Sequence, residues 1–224
     1  MKIMRRLSVV LILLVVLCLA SDSFALDLNP PQWRGQPDST YAVWEFLTPD
    51  VNPVPDIEIN PFGYSDMTVY PAHPWMQAWG GKFGVWPLSG AVGLGIPNNP
   101  VGNEFKLIQI QLTWAAEYPV PTQPVVIVEA TGVGGQAIPL QDIRLIDQSV
   151  ITLEPTNEPV GGFWYHSTYL FEIRPNPVFE NIYISGSLMV DELVIDTICI
   201  PEPATFALLG LGCLIFCTRK RKHT

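Results

Sequence analysis

Phe105-Lys106-Leu107-Ile108-Gln109-Ile110-Gln111-Leu112-Thr113-Trp114 is the stretch whose reading decides the fold. Ile108, Ile110, Leu112 and Trp114 fall on one side and Gln109, Gln111 and Thr113 on the other, the two-residue period of a β-strand. The pattern predicts one buried face and one wet face. Phe163 to Arg174 repeats it, with Tyr165, Tyr169, Phe171 and Ile173 together and His166, Thr168, Glu172 and Arg174 opposite. On this reading His166 is an exposed side chain.

Working outward, shorter runs rich in β-branched and aromatic residues are bounded by proline, glycine and asparagine. They are Tyr41 to Leu47, Gly84 to Leu88, Val92 to Ile96, Val125 to Thr131, Ile143 to Ile146, Val150 to Leu153, Asn181 to Ser185 and Leu188 to Ile198. No convincing helix interrupts them. Around nine or ten strands predict an all-β domain, a two-sheet β-sandwich of jelly-roll type rather than a small barrel. Pro119-Val120-Pro121, Pro155 to Gly162 and Pro175-Asn176-Pro177 break strands because proline lacks the ladder donor. The proline-rich stretches Leu26 to Pro37 and Asp50 to Pro61 read as loops or edge coverings. No internal repeat and no long linker divides the region.

The two ends have a different composition. Lys2, Arg5 and Arg6 precede an apolar run from Leu7 to Ala20 that closes on Ser23-Phe24-Ala25, the form of a secretory signal peptide over residues 1–25. Cys18 lies within that apolar run, after Leu17, which argues against a lipoprotein site. The other end has Pro201-Glu202-Pro203, an uncharged span from Ala204 to Thr218, and the basic cluster Arg219, Lys220, Arg221 and Lys222. As a single transmembrane helix those fifteen residues reach only about 22 Å, short of a hydrocarbon core of roughly 30 Å. The cationic cluster would hold the extreme C-terminus inside and leave the central domain outside.

Ile200-Pro201-Glu202-Pro203-Ala204-Thr205, the apolar span with Leu208-Leu209-Gly210-Leu211-Gly212, and the terminal basic cluster together resemble a PEP-CTERM sorting domain of exported bacterial proteins. The resemblance implies a tail, residues 200–224, read by an exosortase-type membrane protease that cuts near the motif. It makes Pro201, Glu202 and Pro203 the recognition residues and Arg219 to Lys222 the stop. Cys213 and Cys217 within the span depart from the commonest pattern and leave room for modification. An ordinary membrane helix after a stiff proline-rich stalk is the alternative. The run Val190-Asp191-Glu192-Leu193-Val194-Ile195-Asp196 also resembles the closing strand of jelly-roll carbohydrate-binding modules.

Between the ends, residues 26–199 form the expected exported domain. It holds five basic residues against nineteen acidic ones, about −14 against −9 for the whole chain. Such a surface repels phosphate backbones and excludes nucleic acid as a partner. It suits divalent cations, basic proteins or neutral extracellular polysaccharide. Cys199 is the one cysteine there, so stability must come without an internal disulfide.

Trp75, Trp79 and Trp86 surround Gly80-Gly81, with Tyr70 and His73 just before. Exposed indoles stack on sugar rings, which makes Trp75 and Trp79 candidate carbohydrate contacts; buried ones plug a core. Both readings stand, with Trp86 inside. No cofactor is called for. A structural calcium would draw on Asp191, Glu192 and Asp196, or on Asp50 and Asp56, although no EF-hand spacing exists. No Gly-x-Ser-x-Gly elbow and no His-Glu-x-x-His helix is present, so no enzyme is expected; a polysaccharide hydrolase needs only two carboxylates and ranks third. The expectation is a noncatalytic cell-surface or extracellular-matrix protein, transiently anchored in the membrane, with a carbohydrate-binding module as the alternative.

Overall fold

The computed structural model describes residues 27–71, 73–88, 91–99, 103–117, 123–156 and 162–201. The signal-peptide reading and the tail beyond Pro201, with Glu202, Pro203, the sorting helix and Arg219, Lys220, Arg221 and Lys222, fall outside them.

Twelve strands and one turn of 3-10 helix, at Leu140–Asp142, make up the described chain. They are β1 (Ser39–Trp44), β2 (Ile57–Ile59), β3 (Asp66–Tyr70), β4 (Met76–Trp79), β5 (Lys82–Leu88), β6 (Ala91–Pro97), β7 (Asn103–Ala116), β8 (Val125–Thr131), β9 (Ile143–Pro155), β10 (Phe163–Ile173), β11 (Phe179–Ser185) and β12 (Leu188–Pro201). Every pairing is antiparallel. One sheet has eight strands, in the order β2-β1-β12-β7-β10-β9, with β5 also on β12 and β4 on β5; the second runs β3-β6-β11-β8. The chain is an all-β two-sheet sandwich.

The expected long strands are present as β7 and β10, aligned from Trp164 opposite Ala115 to Ile173 opposite Lys106. Their apolar faces, with Ile108, Ile110, Leu112, Trp114, Tyr169, Phe171 and Ile173, join Ile182, Ile184, Leu94 and Val128 of the smaller sheet in the main core. Each buried aliphatic side chain there contributes about 1.5–3 kcal/mol. Two of the buried indoles find acceptors: Trp44 Nε1 donates to Pro53 O at 3.1 Å and Trp114 Nε1 to Ser167 Oγ at 2.9 Å. Cys199 is free and buried.

Sequence and structure part over the second face of this sheet. Gln109, Gln111, Thr113 and His166 are buried rather than wet. The segment from Asp27 to Gln36 lies over them like a strap. Asn29 donates from its backbone to Gln111 Oε1 at 3.0 Å and from Nδ2 to Thr168 Oγ1 at 3.0 Å, and its carbonyl accepts from Gln109 Nε2 at 2.5 Å. Gln111 Nε2 donates to Asp27 Oδ1 at 2.9 Å. Arg34 closes the strap with Nε and Nη2 on the two oxygens of Asp196, each at 2.6 Å, a further bond to Asp27, and its guanidinium 3.8 Å from the Tyr41 ring centre. A polar face thus becomes an interior because polar chain covers it and satisfies its groups.

Further along the same face, β4 and β5 fold back as a hairpin through Gly80 and Gly81, both at positive φ as a two-residue turn requires. A side chain on Gly80 would press on the Trp164 indole at 3.1 Å, whose Nε1 donates to Gly80 O at 2.8 Å. Val85, Ala115, Trp164 and Met189 form a second, smaller core here, with Met76, Trp79 and Leu153 against it. Strands β2, β3 and β4 were not expected from the sequence, and Ile143 to Ile146 and Val150 to Leu153 are one strand, β9.

Candidate functional site

Trp75 and Trp79 do not share a platform. Trp75, half-buried, packs on the main core and donates from Nε1 to Phe46 O at 2.8 Å. Trp79, also half-buried, packs in the smaller core, edge-on to Trp164 with ring centres 5.6 Å apart. Trp86 is inside the main core. An open groove of about 470 Å³ is lined by Pro49, Val51, Pro71, His73, Pro74, Trp75 and Trp86. The prolines set rigid walls and Trp75 presents part of its ring. His73 Nε2 lies 3.3 Å from Glu117 Oε1 and supplies the polar edge. Such a mixture of flat apolar surface and a few polar groups is suited to weak contact with a sugar ring.

Four of the carboxylates considered for calcium, Asp196, Asp191, Asp50 and Asp56, are engaged elsewhere. Asp196 is held by Arg34. Asp191 lies 3.8 Å from Lys82 Nζ, and burial pushes its carboxyl up to about 6 despite that lysine. Asp50 accepts from the Asn52 backbone at 2.9 Å and Asp56 from the Glu45 backbone at 2.7 Å. Among the described residues no group of three or more His, Cys, Asp or Glu is placed to hold a metal ion.

Buried ionisable groups are the feature that sequence reasoning missed. Lys106 Nζ, on β7, sits 2.7 Å from Glu180 Oε2, on β11, with both side chains fully buried and the bond spanning the two sheets. Burial pushes the Glu180 carboxyl up, and Lys106 pulls it the other way. The signal was available: Lys106 is in phase with Ile108 and Ile110, so it had to point inward and find a carboxylate. Next to it, Cys199 pairs with Lys106 across β12 and β7 and donates to Asn98 Oδ1 at 2.7 Å. Burial raises this thiol, which keeps it a protonated, inert donor. His166, expected in solvent, is buried with Nδ1 3.1 Å from Thr113 Oγ1 and Nε2 3.3 Å from Gln111 Oε1. Burial lowers its pKa, so it is neutral at pH 7.

At the C-terminal end of the domain, β12 pairs with β7 through Ile200 opposite Phe105 and Pro201 opposite Asn103. The folded sandwich therefore reaches the first proline of Pro201-Glu202-Pro203 without an intervening spacer. No curated protein matches the chain. Residues 200–222 match the PEP-CTERM protein-sorting motif, which implies an exported protein processed at the membrane by an exosortase.

Proposed function

We propose that the chain is a noncatalytic cell-surface or extracellular-matrix protein whose domain is a sandwich of jelly-roll type. Its route begins with cleavage of residues 1–25 as a signal peptide and ends with removal of the C-terminal tail. The observation that carries the reading is the continuity of β12 with the sorting motif at residues 200–222. The last strand of a packed domain is the attachment point of the transport signal, so the domain is the cargo. The jelly-roll assignment is supported by strand order: β12 lies between β1 and β7 while β11 lies between β6 and β8, the interleaving that a double Greek key produces. The noncatalytic assignment draws support from the buried ionisable groups, which are tied into structural pairs such as Lys106 with Glu180 and Arg34 with Asp196. An epitope inserted at the exposed Gly134-Gly135 turn tests the destination. It should be reached by antibody on intact cells or in the medium; an epitope confined to the inner membrane or cytoplasm would overturn the reading.

Carbohydrate binding is a second reading, favoured by the Trp75 groove. It engages Trp75 and leaves Trp79 to the smaller core. Soluble neutral glycans should quench indole fluorescence, and Trp75→Ala should remove most of that response. Silence across a broad panel, or quenching unchanged in the variant, would contradict it.

A further inference from the structure

We propose that the Trp75 groove selects N-acetylated hexosamine, whose acetamido group meets the Nε1 donor of Trp86 and the unpartnered oxygen of Glu117. The inference rests on the carbohydrate reading of that groove and names the class of sugar it takes. Trp44, Trp75, Trp114 and Trp164 each donate Nε1 to a protein acceptor. Trp86, on β5, does not. It is 3% exposed and lines the groove, and its Nε1 has no hydrogen-bond partner among the described residues. An indole nitrogen can only donate, and a buried donor without an acceptor is costly enough to call for a physical reason.

A matching acceptor belongs to the polar edge. Glu117, just past the end of β7, holds Oε1 3.3 Å from His73 Nε2, and its Oε2 is buried with no partner among the described residues. His73 ties this carboxylate to the groove, because His73 is part of the lining. One orphan donor and one orphan acceptor thus attend a concavity otherwise lined by proline, valine and the Trp75 indole. An acetamido group carries the complementary set: a carbonyl oxygen that accepts, an amide N–H that donates, and a methyl group suited to the Pro49, Val51 and Pro74 surface. A pair of hydroxyls offers the two polar partners and leaves the apolar wall unfilled. An anionic sugar would set its charge against Glu117 in a domain that already carries about −14. The volume of about 470 Å³ has room for one substituted ring against Trp75.

The experiment is calorimetric titration of the full-length chain, in detergent, with oligomers of N-acetylglucosamine, glucose and glucosamine of equal length. The parent should bind the N-acetylated oligomer about tenfold or more tighter than the glucose oligomer, because an analogue lacking the bonded group leaves buried polar atoms unpaired. Trp86→Phe keeps an aromatic ring in the core and removes Nε1, so it should abolish that preference, with a thermal melt showing that the variant is folded. Glu117→Ala, at the edge, should reduce the preference independently and decides the matter if Trp86→Phe does not fold. Equal affinity for the N-acetylated and glucose oligomers, both lost in Trp75→Ala, would overturn the acetamido assignment and leave the carbohydrate reading standing. Tightest binding of the glucosamine oligomer would put an ammonium on Glu117 and overturn it too, as would a preference unchanged in both variants. Silence toward all three oligomers would remove the carbohydrate reading and this inference with it.

Discussion

The centre and the edge of the larger sheet invert the usual expectation about polarity. On β7 and β10, Gln109, Gln111, Thr113 and His166 are buried; on β9, Leu145, Ile146, Val150 and Ile151 face solvent. Intrinsic hydrophobicity does not separate the two sets. What separates them is cover: the Asp27–Gln36 strap and the β4–β5 hairpin lie on the centre, whereas no described strand flanks β9 on its free side. A strand's period tells which residues share a face, and the rest of the chain decides what that face meets.

The comparison is broken most severely at the centre. Lys106→Met should destabilise the domain by about 3–5 kcal/mol by leaving the buried Glu180 carboxyl without its ammonium partner, and Lys106→Met with Glu180→Leu should regain most of it. Chemical denaturation of both variants checks this. A double variant as weak as the single would remove the ion pair from the account.

Asp191 sharpens the comparison through pH. Its carboxyl rises from an ordinary 3.8 to about 6, chiefly because it is buried. The folded state then holds the proton more tightly than the unfolded one. This group's contribution favours the fold below pH 4, declines through pH 4 to 6 and stays unfavourable above. Asp191→Asn should therefore gain about 3 kcal/mol over the parent at pH 8 and nothing at pH 4, read from paired melts. An equal gain at both pH values would contradict the assignment.

Arg34→Met tests the strap. It strips the fully buried Asp196 of its guanidinium and should cost about 2–3 kcal/mol, with faster amide exchange in β7 and β10. Protection unchanged at Gln109 and Gln111 would mean that the strap does not cover that face in solution. At the bare edge, Ile151→Thr should change stability by less than about 0.5 kcal/mol. A loss comparable to that at Lys106 would erase the distinction between the two regions.

These differences also explain what was legible beforehand. Period two in 105–114 and 163–174 was enough for two of the long core strands, β7 and β10, and for the fold class, because alternation is a local signal. The covering of Gln111 by Asp27 and Asn29 was not legible, since the partners lie more than eighty residues away and asparagine and aspartate read equally well as loop. Short strands such as β2 and β4 carry too few residues to show a period. Trp75 and Trp79 are close in sequence but pack on different cores, a separation set by the hairpin at Gly80 and Gly81. The tail needed no tertiary information: its tripeptide, apolar span and basic end are a linear signal, and the match over 200–222 rests on the same residues.

The central claim is that the sandwich is cargo and the C-terminal segment its transport signal. Intact mass spectrometry of the protein collected from outside the cells measures both ends at once. The account expects a chain that begins near Leu26 and stops near Pro201-Glu202-Pro203, without Arg219 to Lys222. A chain retained in the inner membrane with that basic cluster still attached would contradict it.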